Sequence, residues 1–243
     1  MSLRMSLRVS RPAGPAEYVI DALPGMTVLD ALESIRDRQE PSLRYRHSCH
    51  HGSCGSCGAL IDGKEALMCL ARLDDLGPGP VNVEPLRKMA AIGDLAVDPS
   101  PLFAALPPSS PYLRASGLDH MGPPSEPAPA FFDEAGREGC AEGSAERVYE
   151  RFEACIECGL CVSSCPVGAD FAGPAALAMA DREREEDPSR EASALRFAAR
   201  PDGVAACEKA FNCSRVCPQA VAPGRRIESL RKSLISAKGS ETA

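Results

Sequence analysis

The chain has 243 residues, a formal net charge of −7 and no tryptophan, a length that accommodates two modest domains with the composition of an ordinary folded protein. The negative balance argues against nucleic acid as the main partner, because phosphate contacts need a basic face, and proteins are the expected partners instead. Its twelve cysteines amount to about 5% of the residues, below the roughly 8–10% of small disulfide-stapled secreted chains, so the thiols need another role.

The segment Met1 to Val9 lacks the apolar stretch of a signal peptide, and no segment approaches the ~20 apolar residues of a membrane span. The expectation is a cytoplasmic protein in a compartment that keeps thiols reduced. Alternating residues in Ser2–Val9 and Tyr18–Asp21 predict a hairpin. Thr27 can cap a helix in which Val28, Ala31, Leu32 and Ile35 recur at helical spacing. Ala59–Ile61 and Ala66–Leu70 predict strands joined across Asp62-Gly63, a two-residue turn signal. Between helix and hairpin, His47 to Gly58 is a loop punctuated by glycine.

Nine of the 22 prolines lie between Pro99 and Pro129, a density that blocks helix interiors and central strands and predicts a connector. Phe131 to Gly143 extends it as an acidic, glycine-containing surface segment. From Ser144, a candidate cap, the pattern turns helical, with Val148 and Phe152 one turn apart. A helical hairpin is expected for Pro174–Asp187 and Ser189–Ala199, broken at Pro188, and a last helix from Ile227 with Leu230 and Leu234. The basic residues of that stretch, Arg225, Arg226, Arg231, Lys232 and Lys238, read as a solvated face, with a surface for a partner or lipid headgroups as the alternative. The predicted organisation is α+β. An N-terminal β-grasp domain covers 1–98, a connector 99–143, and a mostly α-helical domain 144–243; the cysteine spacings C-x4-C-x2-C from Cys49 and C-x2-C-x2-C-x3-C-P from Cys155 make the first of the plant-type [2Fe–2S] ferredoxin kind and the second of the bacterial-type two-cluster ferredoxin kind.

Chemistry concentrates in the cysteines. Cys49, Cys54 and Cys57 stand as C-x4-C-x2-C, and Cys69 follows after eleven intervening residues; this is the plant-type [2Fe–2S] spacing. Three thiolates on one tight loop converge on a flat cluster while the fourth arrives from the adjoining hairpin. Gly52, Gly55 and Gly58 supply positive φ or close backbone approach, freeing amide N–H groups to point at sulfur, and Ser53 and Ser56 offer hydroxyls. A structural zinc site is the alternative, but its usual form is two separate C-x2-C knuckles. His50 and His51 are expected beside the cluster at the surface, not as its ligands.

Cys155, Cys158, Cys161 and Cys165-Pro166 form C-x2-C-x2-C-x3-C-P, the bacterial ferredoxin run. In that frame the fourth cysteine serves the neighbouring cluster, so a second run is required. Cys207, Cys213 and Cys217-Pro218 supply it, with Ala210 where the middle cysteine would stand. Crossing the fourth cysteines gives Cys155, Cys158, Cys161 and Cys217 for a [4Fe–4S] cluster. It leaves Cys165, Cys207 and Cys213 for a cluster short of one ligand, which predicts [3Fe–4S]. Cys140 fits neither frame and reads as a spare thiol.

On these residues the chain resembles the iron–sulfur subunit of succinate dehydrogenase and fumarate reductase. The resemblance rests on His47-Ser48-Cys49-His50-His51-Gly52-Ser53-Cys54-Gly55-Ser56-Cys57, on Pro85-Leu86 with Ile92-Gly93-Asp94-Leu95-Ala96-Val97-Asp98, on both later cysteine runs, and on Gly173-Pro174-Ala175-Ala176-Leu177 between them. It implies a partner flavoprotein subunit that holds FAD and interconverts succinate and fumarate, and membrane anchor subunits at which a quinone reacts. It implies a peripheral place at the cytoplasmic face of the inner membrane. The cluster of Cys49 would lie nearest the flavin, and that of Cys165, Cys207 and Cys213 nearest the quinone, with Pro166, Glu208 and Ala210 as quinone-side candidates. This chain lacks the tryptophan and histidine that many members carry near those positions; Glu208 follows Cys207. The alternative is a related flavoprotein complex with another substrate or a thiol–disulfide acceptor; a free ferredoxin or iron–sulfur sensor is a further one. No glycine-rich dinucleotide fingerprint is present, so substrate chemistry is expected on a partner.

Overall fold

Leu7 and Val9 alternate with exposed neighbours along β1 (Leu3–Val9), as do Tyr18, Ile20 and Ala22 along β2 (Ala16–Ala22), so each strand offers one apolar face. In the computed structural model, which describes residues 3–77, 79–106, 155–168 and 170–241, these strands pair antiparallel from Leu3↔Ala22 to Val9↔Ala16. The expected helix is α1 (Val28–Arg38). Thr27 and Asp30 cap it reciprocally, and Val28, Leu29, Leu32 and Ile35 are buried against the sheet.

The hairpin across Asp62-Gly63 forms as β3 (Gly58–Ile61) and β4 (Lys64–Leu67). Both turn residues take positive φ, 48° and 75°, the type I′ requirement. β4 stops at Leu67 rather than running on to Leu70, because the chain turns there to bring Cys69 back beside Cys57. A fifth strand that the sequence reading did not include, β5 (Val81–Glu84), runs parallel to β1 and antiparallel to β3. The sheet order β2-β1-β5-β3-β4 with α1 across one face is a β-grasp.

The segment after β5 returns around the sheet and is pinned at Asp94. This buried carboxylate accepts from the Arg11 guanidinium at 3.1 Å and from the Arg44 amide at 2.7 Å. The stretch expected as connector begins with a short helix, α2 (Ser100–Ala104), and Leu106 just beyond it packs against Ala176 and Met179 of the helical part. The expected cap at Ser144, Val148, Phe152, Cys140 and the segment Phe131–Gly143 lie outside the described residues.

The second part contains one-turn helices α3 (Leu160–Ser163) and α6 (Asn212–Arg215) and longer helices α4 (Pro174–Glu186), α5 (Glu191–Ala198) and α7 (Pro223–Glu241). Pro188 opens a turn of 3₁₀ helix between α4 and α5, the break expected there. Leu177, Ala180, Ala194, Ala198, Ile227 and Leu230 form the core. The alanines on α4 bring α7 close, and Asp181 between them accepts from Arg184 at 2.8 Å and lies 3.3 Å from Arg226.

Ile156 and Leu160, from the first cysteine run of the helical part, belong to the same apolar cluster as Leu32 and Val83 of the sheet domain. Ser163, also buried, accepts from the Arg87 amide and donates to Glu65, each at 3.0 Å. The two parts are thus joined by packing and hydrogen bonds around the cysteine runs.

Candidate metal centres

The loop from His47 to Cys57 is held by its own backbone turns: Gly52 and Gly55 take φ of 74° and 71°. This shape directs the amides of His51, Ser53 and Cys54 at the Cys49 sulfur, the latter two at 3.2 and 3.3 Å. These donors, His51 first, pull the Cys49 thiol down to about 6 against its partial desolvation. Cys57 and Cys69 lie with sulfurs 3.3 Å apart, and burial pushes the Cys57 thiol up to about 12. Ser56 contributes as expected, its hydroxyl 3.1 Å from the Cys54 sulfur. At Ser53 it is the amide, not the hydroxyl, that meets sulfur.

The four cysteines Cys155, Cys158, Cys161 and Cys217 line a single cavity whose other walls include Leu102, Ile156, Met179 and Val221. Burial raises Cys158 to about 11, with Cys155 and Cys217 adding to the rise, and burial likewise holds Cys161 well above its usual value. The fourth cysteine of the second run therefore faces the first run, as the crossed frame requires. The reciprocal set also meets: burial raises the Cys213 thiol, and the neighbouring Cys165 and Cys207 add to it. Crowded thiols with raised proton affinity in an apolar cage suit cluster iron, which holds them as thiolates and offsets their mutual repulsion.

The two runs repeat one backbone path. Glu157 and Gly159 flank Cys158 with φ of 54° and 75°, and Lys209 and Phe211 flank Ala210 with φ of 60° and 58°. A one-turn helix follows each, α3 and α6. Ala210 thus occupies the backbone position that Cys158 holds in the first run, without carrying a sulfur. Around it Glu208 and Phe211 are exposed, Pro166 is exposed on the facing run, and the Ala210 carbonyl accepts from Arg215 at 2.9 Å.

Gly55 and Gly58 of the first loop lie directly on the Ile156–Cys158 backbone. A methyl group at 55 would overlap the Ile156 carbonyl oxygen and lie 3.1 Å from the Cys158 Cα, and one at 58 would lie 3.1 Å from the Cys158 carbonyl oxygen. Gln219, two residues beyond Cys217, donates to the Gly52 carbonyl at 3.1 Å. The Lys88 ammonium donates to the carbonyls of Cys165 and Val167. Gly55, Gly58 and Gln219 thus hold the first thiol group against the middle one, and Cys213 of the third set lies close enough to Cys161 to add to the rise of its thiol.

Residues 8–104 match a 2Fe-2S iron-sulfur cluster binding domain and residues 151–221 a 4Fe-4S dicluster domain. The chain is 40% identical over 215 residues to the fumarate reductase iron-sulfur subunit of Mycobacterium tuberculosis (strain CDC 1551 / Oshkosh), covering 87% of this chain and 82% of the relative. It belongs to the family of fumarate reductase and succinate dehydrogenase iron–sulfur subunits. Another family member, the succinate dehydrogenase iron-sulfur subunit of Coxiella burnetii, is 33% identical over 224 residues, 90% of this chain and 88% of that one. A chain of the Mycobacterium smegmatis Sdh1 complex in the apo form superposes with a TM-score of 0.67 at 26% identity, 98% of each chain being covered. A thiol–disulfide acceptor complex is not favoured by these relatives. Like the sequence, the described residues contain no helix long and apolar enough to cross a membrane.

Proposed function

We propose that the chain is the electron relay of a succinate:quinone oxidoreductase, passing single electrons between a partner flavoprotein subunit holding FAD and a quinone at membrane anchor subunits. The observation that carries this reading is the succession of the three thiol groups: the first loop lies on the middle group through Gly55, Gly58 and Gln219, and Cys213 of the third set lies close enough to Cys161 of the middle one to act on its thiol. When bound, iron–sulfur clusters supply one-electron couples whose potentials follow cluster type, hydrogen bonding and exposure. Cys49, Cys54, Cys57 and Cys69 are assigned to [2Fe–2S]; Cys155, Cys158, Cys161 and Cys217 to [4Fe–4S]; and Cys165, Cys207 and Cys213 to [3Fe–4S]. The amides around Cys49 stabilise negative charge on sulfur, and the apolar wall of Leu102, Met179 and Val221 keeps water from the middle group. The surface formed by Pro166, Glu208 and Ala210, with Phe211 exposed beside them, is assigned to the quinone side. In the cell the chain sits at the cytoplasmic face of the inner membrane, peripheral, through its partners.

The test is purification of the native complex: flavin should accompany the chain, and succinate should reduce its cluster signals in electron paramagnetic resonance. Absence of a flavoprotein together with no response to succinate or fumarate would refute the reading. The repeated backbone around Ala210 supports a sharper test. Ala210→Cys should replace the three-iron resonance with that of a four-iron cluster, and persistence of the three-iron signal unchanged would show the frame to be misassigned.

A further inference from the structure

At the rim of the first loop, with no cysteine among them, three ligand atoms converge. Glu33 projects from α1, and one of its carboxylate oxygens lies 3.5 Å from the His47 Nδ1 and 3.4 Å from the His50 Nε2, with the two ring nitrogens 3.4 Å apart. The triangle is nearly equilateral. A tetrahedral zinc ion with bonds of about 2.0–2.1 Å spans ligand edges of about 3.3–3.4 Å, whereas octahedral iron at similar bond lengths spans edges of about 3.0 Å. The observed edges fit the tetrahedron. Two imidazoles and one carboxylate with a fourth position open to water is an established zinc donor set.

The local structure holds the three groups in place. His50 takes a left-handed conformation, φ 60°, which residues other than glycine rarely adopt and which turns its ring towards Glu33. His47 is set by Tyr45, whose ring centroid lies 5.2 Å away and which itself lies under the Arg36 guanidinium. All three ligand residues remain partly exposed, 26–43% for the side chains of His47, Glu33 and His50, so an ion can reach them.

We propose that Glu33, His47 and His50 form a binding site for a single zinc-class divalent cation at the rim of the first loop. His50 directly follows Cys49, so the ion's charge lies next to a cluster ligand. Its binding favours the reduced state of that cluster and shifts its potential upward. The site thus offers divalent cations control over the entry point of the relay.

The native complex, incubated with zinc chloride and desalted, should retain one zinc per copy of this chain with its iron content unchanged. Glu33→Ala and His47→Ala, each with full iron content, should weaken zinc retention at least about tenfold, and zinc should raise the midpoint of the Cys49 cluster in the wild type but not in Glu33→Ala. Glu33 lies outside the cysteine loop, so its variant keeps the test independent of cluster assembly. No zinc retained by the wild type, equal retention by Glu33→Ala, or zinc uptake that displaces iron would each overturn the proposal. The readout is binding, so it stands or falls separately from the succinate reading.

Discussion

A methyl group added at position 55 would collide with the Ile156 carbonyl oxygen, a backbone atom with no freedom to rotate away. Gly55 also takes φ of 71°, so alanine there is strained twice. Gly55→Ala should therefore push the first loop off the Ile156–Cys158 segment, weakening magnetic coupling between the two adjacent clusters and slowing electron passage between them. Unchanged coupling in a variant with full iron content would show that this contact does not set the spacing. At this scale the grouping of the cysteines was legible in the sequence because their spacing is local. The Glu33–His47–His50 triangle was not, since its carboxylate comes from a helix that only tertiary packing brings to the loop.

Among the elements, the turn between α4 and α5 depends on an ionised carboxylate. Asp187 accepts from the Ser189 amide at 2.9 Å, and the Ser189 hydroxyl, that amide and Arg190 hold the carboxyl below its usual value. A depressed carboxyl stabilises the fold above its unfolded value of about 3.9 and ceases to do so as the pH falls through its folded value. Asp187→Asn keeps an acceptor but removes the titration. The wild type should thus melt higher than the variant at pH 6, with the difference shrinking as the pH is lowered below about 3.9, as measured by helical circular dichroism. Periodicity made α1, α4 and α7 readable. β5 was not, because its four residues lie between Pro80 and Pro85 and take their meaning from parallel pairing with β1, more than seventy residues earlier. Likewise α2 carries two prolines in or beside its first turn, and the same residues that suggested a connector suit a helix start.

For the molecule as a whole, the division into two ferredoxin units holds for topology but not for packing. Leu160 is 1% exposed, belongs to the sheet domain's apolar cluster, and stands in the cysteine run of the helical part. Leu160→Ala should destabilise the protein by about 3 kcal/mol and lower the melting of the β-sheet signal together with the helical one. A sheet transition unmoved by the substitution would mean that the parts unfold separately. Nothing in the spacing of the second cysteine set announces this sharing, since Ile156 and Leu160 read as filler between ligands until the sheet is seen beneath them.

That shared core also bears on how the protein is made. The ribosome releases the whole sheet domain, with α1 and all four cysteines of the first loop, well before residues 156 and 160 emerge. During that interval the apolar face that they later cover is open to solvent and to other nascent chains. Chaperone binding, and the timing of iron delivery to the first loop, are accordingly matters for a half-synthesised chain as much as for a finished one.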